Sequence, residues 1–503
     1  MKILFINFNL SSTPGINNGL AVLSSVLKKK KHAVSMLFLC EGLGYGFDLE
    51  RMKRDIQDFK PDIIGLSLIE TQLKYASEFL RGLKAYYKGM VICGGPYPTL
   101  DPEGCLNLPA VNAVCVGEGD DALVEMVEAI RRRKDHTHIK NLWFKLRDGA
   151  IVKNGLRPFK DLDTLPLDDK ELFDLDKILP LKNQQLEVMV GRGCAYRCSY
   201  CINQPYIEQY KRLSEHEVKV KDYIRIKKAD TVIQEIRSVL KRHRGVKKLA
   251  FIDDNFVAYN DFLKEFAAKY RASVGLPFMC NANPLSYTMG KAEVLKDAGC
   301  VDVRFGLESG SERVKKQVLN RPVSNSSVVR AFRINHDLKM MTSSFNMIGL
   351  PTETMPEVLE TLKLNAGITP DTVKVMTFYP FKNTPIYGLC MKMDLIDLNR
   401  KFDLDNYDTF SCLKFPAGYR LFLNKVQTAF GWYLNVFLKS GASREYAKMV
   451  SEIEAMDESQ WRKFDFCGVD KELSATMRKR GETHYSQFIN RSLAVKFPSQ
   501  HLN

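Results

Sequence analysis

Three cysteines crowd one short loop of this 503-residue chain, and that loop limits what can be built around it. The stretch GRGCAYRCSYCINQPY sets Cys194, Cys198 and Cys201 in a C-x3-C-x2-C pattern, with Tyr200 just before the third thiol. Three thiolates on one tight loop can bind three irons of a cubic [4Fe-4S] cluster and leave the fourth iron open to a substrate or cofactor. Such a loop has to leave a strand and fold back under the cluster. Gly191 and Gly193 spare it a Cβ that would collide there. A zinc knuckle would need a fourth Cys or His at short spacing, and the next candidates are His216 and Cys280.

The residues after the loop repeat a single unit. From Leu186 onward six strand-like runs recur, each followed by a helical segment: 186–190, 248–252, 278–281, 302–305, 344–348 and 372–378. Six parallel βα units predict an open, partial barrel with its site on the loops at the carboxyl ends of the strands. The cysteine loop follows the first strand, so the other strand ends are expected at the same mouth. They carry Asp253, Asp254 and Asn255, then Asn281 and Asn283, then Glu308, Ser309 and Ser311. The fifth strand holds Asn346 and runs into IGLPTET. Asp254 and Ser309 are equally good helix N-caps.

Upstream, residues 1–133 alternate strand and helix. Apolar runs at 3–7, 34–39, 63–68, 91–93 and 113–116 are short and nearly continuous, as in parallel strands covered on both faces, with helical periodicity at 72–87 and 122–132. This predicts a doubly wound α/β domain of about five strands, with ligands at the strands' carboxyl ends. Residues 134–185 change texture: DGAIVKNG is a turn-flanked strand, and the proline-bearing stretch after it reads as a linker. Beyond 390, amphipathic helices at 419–438 and 444–455 alternate with polar turns, and Trp432, Tyr433 and Phe437 form a bulky packing face. Cys390, Cys412 and Cys467 are too far apart for a second local cluster. The expected organisation is an α/β protein with a doubly wound domain at 1–134, a linker at 135–185, a partial (β/α)6 barrel at 186–390 and a mainly helical region at 391–503.

The net charge of +15 raises the question of nucleic acid. Much of the excess lies at Lys28–Lys31 and in a helical stretch at 211–248, which includes Lys227, Lys228, Arg237, Lys241 and Arg242. With Tyr223 the single Phe, Tyr or Trp in the two stretches, neither interleaves the series of rings that base stacking needs, so both are read as solvated helix faces. The charge suits anionic substrates or lipid headgroups as well. The twelve cysteines are scattered, and MKILFINFN reads as a buried strand rather than a signal peptide. A low-potential cluster needs a reducing compartment, which predicts a cytoplasmic protein. The longest apolar helix candidate, 429–438, is too short to span a bilayer.

At the cysteine loop the sequence resembles the radical S-adenosylmethionine (SAM) superfamily. In that family SAM chelates the fourth iron, and the reduced cluster cleaves it to a 5′-deoxyadenosyl radical. The segments IGLSLIETQ, CGGPYPT and VGEGDDAL resemble, in order and spacing, the cobalamin-binding domain that precedes the radical domain in one class of these enzymes. The resemblance covers residues 1 to about 390. It implies that Ser67 and Thr71 face the corrin or its nucleotide tail, that Gly94, Gly95 and Gly117 let backbone approach it, and that Glu118 belongs to the same site. Mutase-type cobalamin domains carry a D-x-H-x-x-G motif for an axial histidine. Residues 9–19 hold no His or Asp, so a bound cobalamin is expected to lack a histidine on its lower face. On the barrel side the resemblance assigns Glu308 and Ser309 to the methionine or ribose part of SAM. It assigns residues 348–350, with Ile348, to adenine, and Asp253 and Asp254 to the strand-two pair. Tyr200, Asn281 and Asn346 join the same cofactor set.

A hydrogen-abstracting radical next to a cobalt-borne methyl group suits methylation of carbon that is not nucleophilic. The expected activity is a cobalamin-dependent radical SAM methyltransferase acting on an unactivated carbon, or a phosphinate phosphorus, of a small molecule or lipid. It would use two SAM molecules per turnover and an electron donor such as flavodoxin or ferredoxin. The alternative is a radical SAM cyclase or ring-rearranging oxidoreductase without net methylation. Transfer-RNA methylthiolation fits poorly, because Cys40, Cys93, Cys105 and Cys115 lie in or beside buried strands instead of forming a second cluster site. A cobalamin sensor or scaffold would leave the cysteine loop without a purpose.

Overall fold

In the computed structural model, residues 1–403, 411–490 and 492–498 are described. They form two compact units. The first comprises Met1–Asp253, Ala272–Leu276 and Phe381–Tyr387; the second comprises Asp254–Arg271, Pro277–Pro380 and Gly388–Asn503.

The first unit opens with β1 (Lys2–Phe8), β2 (Ala33–Leu39), β3 (Ile63–Ser67), β4 (Met90–Gly94) and β5 (Ala113–Cys115), all parallel in the order β2-β1-β3-β4-β5. Alternation along β1 explains why the sheet is covered on both sides. Leu4, Ile6 and Phe8 enter one core with Leu66 and Phe79, whereas Ile3 and Phe5 enter another with Leu20, Ile92 and Leu123. The sheet is wider than the five strands expected. β6 (Leu142–Lys145) and β7 (Ile151–Lys153) continue it antiparallel; β7 is the strand read at DGAIVKNG, whereas β6 was not foreseen. Reversal of strand order between β1 and β3 creates the switch point at which doubly wound sheets bind ligands.

Further along, β8 (Gln185–Val188) pairs parallel with β11 (Lys248–Phe251). Between them β9 (Gly191–Arg192) pairs antiparallel with β10 (Arg225–Ile226). The stretch 211–248 is therefore not one helix. Helix Asn203–Leu213 ends before β10, and Ala229–Arg242 begins after it. Lys227 corrects the solvated-face expectation. It is buried, with its ammonium 2.6 Å from Glu235 and 3.2 Å from Asp168, because burial of a long cation requires partners.

The second unit holds β12 (Phe278–Ala282), β13 (Cys300–Glu308), β14 (Met341–Ile348) and β15 (Thr372–Thr377), parallel and in sequence order. With β8 and β11 these are the six parallel strands expected. Two late strands went unforeseen: β16 (His484–Ser486) pairs antiparallel with β17 (Leu493–Phe497), and β17 pairs with β15. The helix expected at 419–438 is two, Ala417–Thr428 and Phe430–Phe437, broken at Ala429. Trp432 and Tyr433 are buried as a packing face, with the Trp432 indole donating to Asp470 at 2.7 Å. No helix among the described residues is long and apolar enough to cross a membrane.

Candidate active site

A cavity of about 570 Å³ opens at the β1/β3 switch point. Its inner arm is apolar and runs between the sheet and two helices. Phe5, Gly65 and Ile92 face Leu20 and Leu23 of helix Asn18–Lys29 and Leu123 of helix Ala122–Arg131. A Cβ on Gly65 would come within 2.9 Å of the Phe5 ring, so glycine there keeps the arm open. The mouth is polar and lined by Ser67, Gly94, Gly95, Gly117 and Glu118. Gly95 has φ +102°, and a Cβ on it would meet the Leu68 carbonyl at 3.0 Å. Thr71 is buried in the short turn Glu70–Gln72 and does not line the cavity.

Asn17 is a mouth residue the sequence reading missed. Its side-chain oxygen caps helix Asn18–Lys29 by accepting from the Leu20 amide, and its amide nitrogen donates to Asn7 at 3.1 Å and to Ser67 at 2.9 Å. An Asn just before an apolar helical run signals a cap. Nothing local shows that its other end reaches a strand fifty residues away.

Val190, Gly191 and Arg192 line the same cavity and lead directly into the cysteine loop. Asp253 secures this junction, accepting the Val190 amide at 3.1 Å and the Gly191 amide at 2.7 Å. Gly193 has φ +91°, and a Cβ on it would sit 2.5 Å from the Tyr223 carbonyl. A turn closed by the Cys201 amide on the Cys198 carbonyl at 3.1 Å holds the second and third cysteines. Cys198 is buried, Cys194 and Cys201 are half-buried, and Tyr200 is half-buried beside them. Among the described residues no set of three His, Cys, Asp or Glu side chains is gathered as a single-ion site requires. The loop itself supplies three cysteine thiols, the donor set a cubic cluster with one open iron takes.

Residues 381–387, also in this unit, form a strap over these loops. The Lys382 amide donates to Glu70 at 2.8 Å, the Asn383 side chain donates to the Leu100 carbonyl, and the Ile386 amide donates to Ser199 at 3.1 Å.

In the second unit Glu308 ends β13 in an unusual way. Its φ is +67°, and the β13–β14 register slips between Gly306 and Glu308. A bulge and a left-handed non-glycine residue at a strand end mark a side chain that the fold re-aims at some cost. Glycine is needed at 306, because a Cβ there would lie 2.4 Å from Glu308 Oε1 and 3.0 Å from the Arg321 guanidinium. Ser309 is buried and its hydroxyl accepts from the Ser311 amide. Asn346 is buried too, bonded to Ser344, the Lys374 carbonyl and Asn365. Those bonds tie strand to helix and leave little of the amide for a ligand. Ile348 is buried at the end of β14, Asn281 is half-buried on β12, and Asp254 is exposed. At the turn after β14, Glu353 Oε2 accepts the Gly349 amide at 2.7 Å and the Leu350 amide at 3.2 Å. Its other oxygen is buried without a partner, and burial pushes its carboxyl up to about 8.

Comparison with known families decides what these parts belong to. Residues 9–127 match the B12 binding domain and residues 188–364 match the radical SAM superfamily. The chain is a radical SAM enzyme with a B12-binding domain. Its cofactors are SAM, a [4Fe-4S] cluster and cobalamin. This B12-dependent radical SAM enzyme is 25% identical to a protein of Pyrococcus horikoshii named as an uncharacterized methyltransferase, over 76% of this chain and 80% of that one. It is 22% identical to the anaerobic magnesium-protoporphyrin IX monomethyl ester cyclase of Rubrivivax gelatinosus, over 89% and 84% of the two chains. Among solved structures, the cobalamin-dependent SAM radical enzyme OxsB, with aqua-cobalamin and SAM bound, superposes with a TM-score of 0.65 at 15% identity, over 95% of this chain and 75% of that one.

The cavity fits cobalamin in kind, since a glycine-floored polar mouth suits the corrin and an apolar slot suits a flat base on its tail. The cysteine loop fits a cluster. The re-aimed carboxylate of Glu308 fits hydroxyl or amine recognition, as SAM requires.

Proposed function

We propose that the enzyme is a methyltransferase that installs a methyl group on a non-nucleophilic carbon of a small molecule, or on a phosphinate phosphorus. The observation that carries this reading is the continuity of one wall. The cavity floored by Gly94, Gly95 and Gly117 is also lined by Val190–Arg192, the residues that open the cysteine loop. In that cavity Gly94, Gly95 and Gly117 would seat a methyl carrier, on the wall that Val190–Arg192 continue into the cysteine loop. Bound together, the three cofactors supply a hydrogen-abstracting carbon radical and a transferable methyl group.

In this reading Cys194, Cys198 and Cys201 hold three irons, while Glu308 and Ser309 engage the polar part of SAM and Ile348 its adenine. Ser67, Gly94, Gly95 and Gly117 seat the corrin. Asp253 acts through the backbone it pins, and Asn17 orients Ser67 at the mouth. Glu118 serves the site by its backbone, because Arg192 and Arg225 engage its carboxylate. An electron donor of the flavodoxin or ferredoxin type would reduce the cluster, and the substrate could be a lipid.

The likeness to a ring-forming cyclase over 89% of the chain favours a second reading, cyclisation without methyl transfer. Methyl-deuterated SAM separates the two. Methylation yields 5′-deoxyadenosine and S-adenosylhomocysteine in comparable amounts with label in the product. Cyclisation yields deoxyadenosine and a product that gains no carbon. Mass spectrometry of both coproducts, with candidate acceptors supplied to anaerobically reconstituted enzyme, decides between them.

A further inference from the structure

The two ends of the cysteine loop grip the same short segment, residues 117–120, at the mouth of the cavity. On the upstream side Arg192, two residues before Cys194, forms a forked pair with Asp120 at 2.7 and 3.1 Å and lies 3.0 Å from Glu118. Arg225, its partner across β9–β10, takes both oxygens of Glu118 at 2.5 and 3.0 Å. These four side chains are largely buried, with Asp120 6% and Glu118 12% exposed. Burial works against the charge on Glu118, but Arg192 and Arg225 outweigh it and hold the carboxyl below its ordinary range. A forked, largely desolvated pair of this kind fixes orientation as well as distance.

On the downstream side, helix Asn203–Leu213 leaves the cysteine loop and presents Tyr206 and Tyr210, stacked with ring centres 5.5 Å apart. The Tyr210 hydroxyl accepts the Glu118 amide at 2.9 Å and lies 2.4 Å from where a Cβ on Gly117 would stand. Gly117 in turn donates its amide to Thr99 at 3.0 Å. Residues 117–120, Arg192 and Tyr206 all line the cavity. A ligand filling the cavity therefore lies against the segment that anchors both ends of the cysteine loop and against Arg192, and it reaches the Tyr210 anchor only through Tyr206, which stacks on it.

We propose that Arg192 and Tyr210 are positioning residues that couple cobalamin occupancy to retention of the iron–sulfur cluster. A ligand seated against residues 117–120 restricts that segment. Through the Arg192 fork and the Tyr210 hydroxyl it restricts the entry and exit of the cysteine loop, which raises the barrier to iron loss. The proposal rests on the reading that cobalamin fills this cavity.

The test follows iron, not turnover. Reconstituted full-length enzyme, with and without hydroxocobalamin, is mixed anaerobically with a coloured ferrous chelator, and bound corrin is measured by absorbance after desalting. In the wild type, cobalamin is expected to slow iron release about tenfold. In Arg192→Gln with corrin bound, the protection is expected to fall below about twofold, and Arg192→Lys, which loses the fork, to be intermediate. Tyr210→Phe removes the hydroxyl while keeping the ring, and it decides the matter should Arg192→Gln fail to fold. Equal release rates in the wild type, or full protection in Arg192→Gln or Tyr210→Phe with corrin bound, would overturn the coupling. A wild type that retains no corrin would overturn the cavity reading itself, which the absorbance shows directly.

Discussion

Glu353 shows how a single residue can be held against its own preference. Its carboxylate closes the turn after β14 through two backbone amides, and neighbouring Arg313 favours the charge. Burial outweighs both, with Glu357 adding repulsion, and the folded-state value rises to about 8. The sign follows from linkage. Between the unfolded value near 4.5 and about 8 the folded state binds the extra proton, so this group's contribution is fully present below the lower value and is lost as pH rises through the upper. The slope is at most about 1.4 kcal/mol per pH unit. Glu353→Gln removes that dependence. Melting curves of both proteins are expected to show the variant gaining on the wild type from pH 5 to pH 8. A constant gap would mean the carboxyl titrates normally.

At the scale of elements, the carboxyl-terminal region depends on one buried acceptor. Asp470 on helix Phe466–Lys479 takes the Trp432 indole at 2.7 Å, the Ser486 hydroxyl at 2.6 Å and the Gln487 and Phe488 amides at 2.7 and 2.9 Å. It thereby joins three elements: its own helix, helix Phe430–Phe437 and the end of β16. Asp470→Ala leaves those donors buried and unpaired and is expected to cost about 3 kcal/mol or more, whereas Asp470→Asn, which keeps an acceptor, costs less. Thermal unfolding of the two variants gives the order. Sequence reading placed Trp432 in a packing face and stopped there, because an indole's partner thirty-eight residues on leaves no periodic trace.

At the scale of the whole molecule, the cofactors are expected to act unevenly on stability. Cobalamin at about a hundred times its dissociation constant stabilises whatever binds it by about 2.7 kcal/mol. Deuterium exchange read by mass spectrometry is expected to slow at residues 67, 94–95 and 117–119 of the first unit on cobalamin addition. The strand pair β16–β17 of the second unit is expected to exchange as before. Protection spread evenly over both units would mean that the ligand sits elsewhere.

The architecture and the cysteine loop were legible in the chain itself, because both rest on local order. Parallel strands covered on two faces must be short apolar runs, as 3–7 and 63–68 are, and a cluster loop must bring its thiols and glycines close together in sequence. What only the tertiary structure decided is where charge and amide groups are satisfied. Lys227 was read as a solvated cation and is a buried ion partner of Asp168 and Glu235. Arg192 was passed over between two glycines, yet it meets Asp120 across seventy-two residues. Asn346 was read as a cofactor contact, and the fold engages it with Asn365. Apolar burial leaves a period in the sequence because it is set by the geometry of the element. A polar partner does not, because hydrogen bonds are completed by whichever residue the packed chain delivers to within about 3 Å.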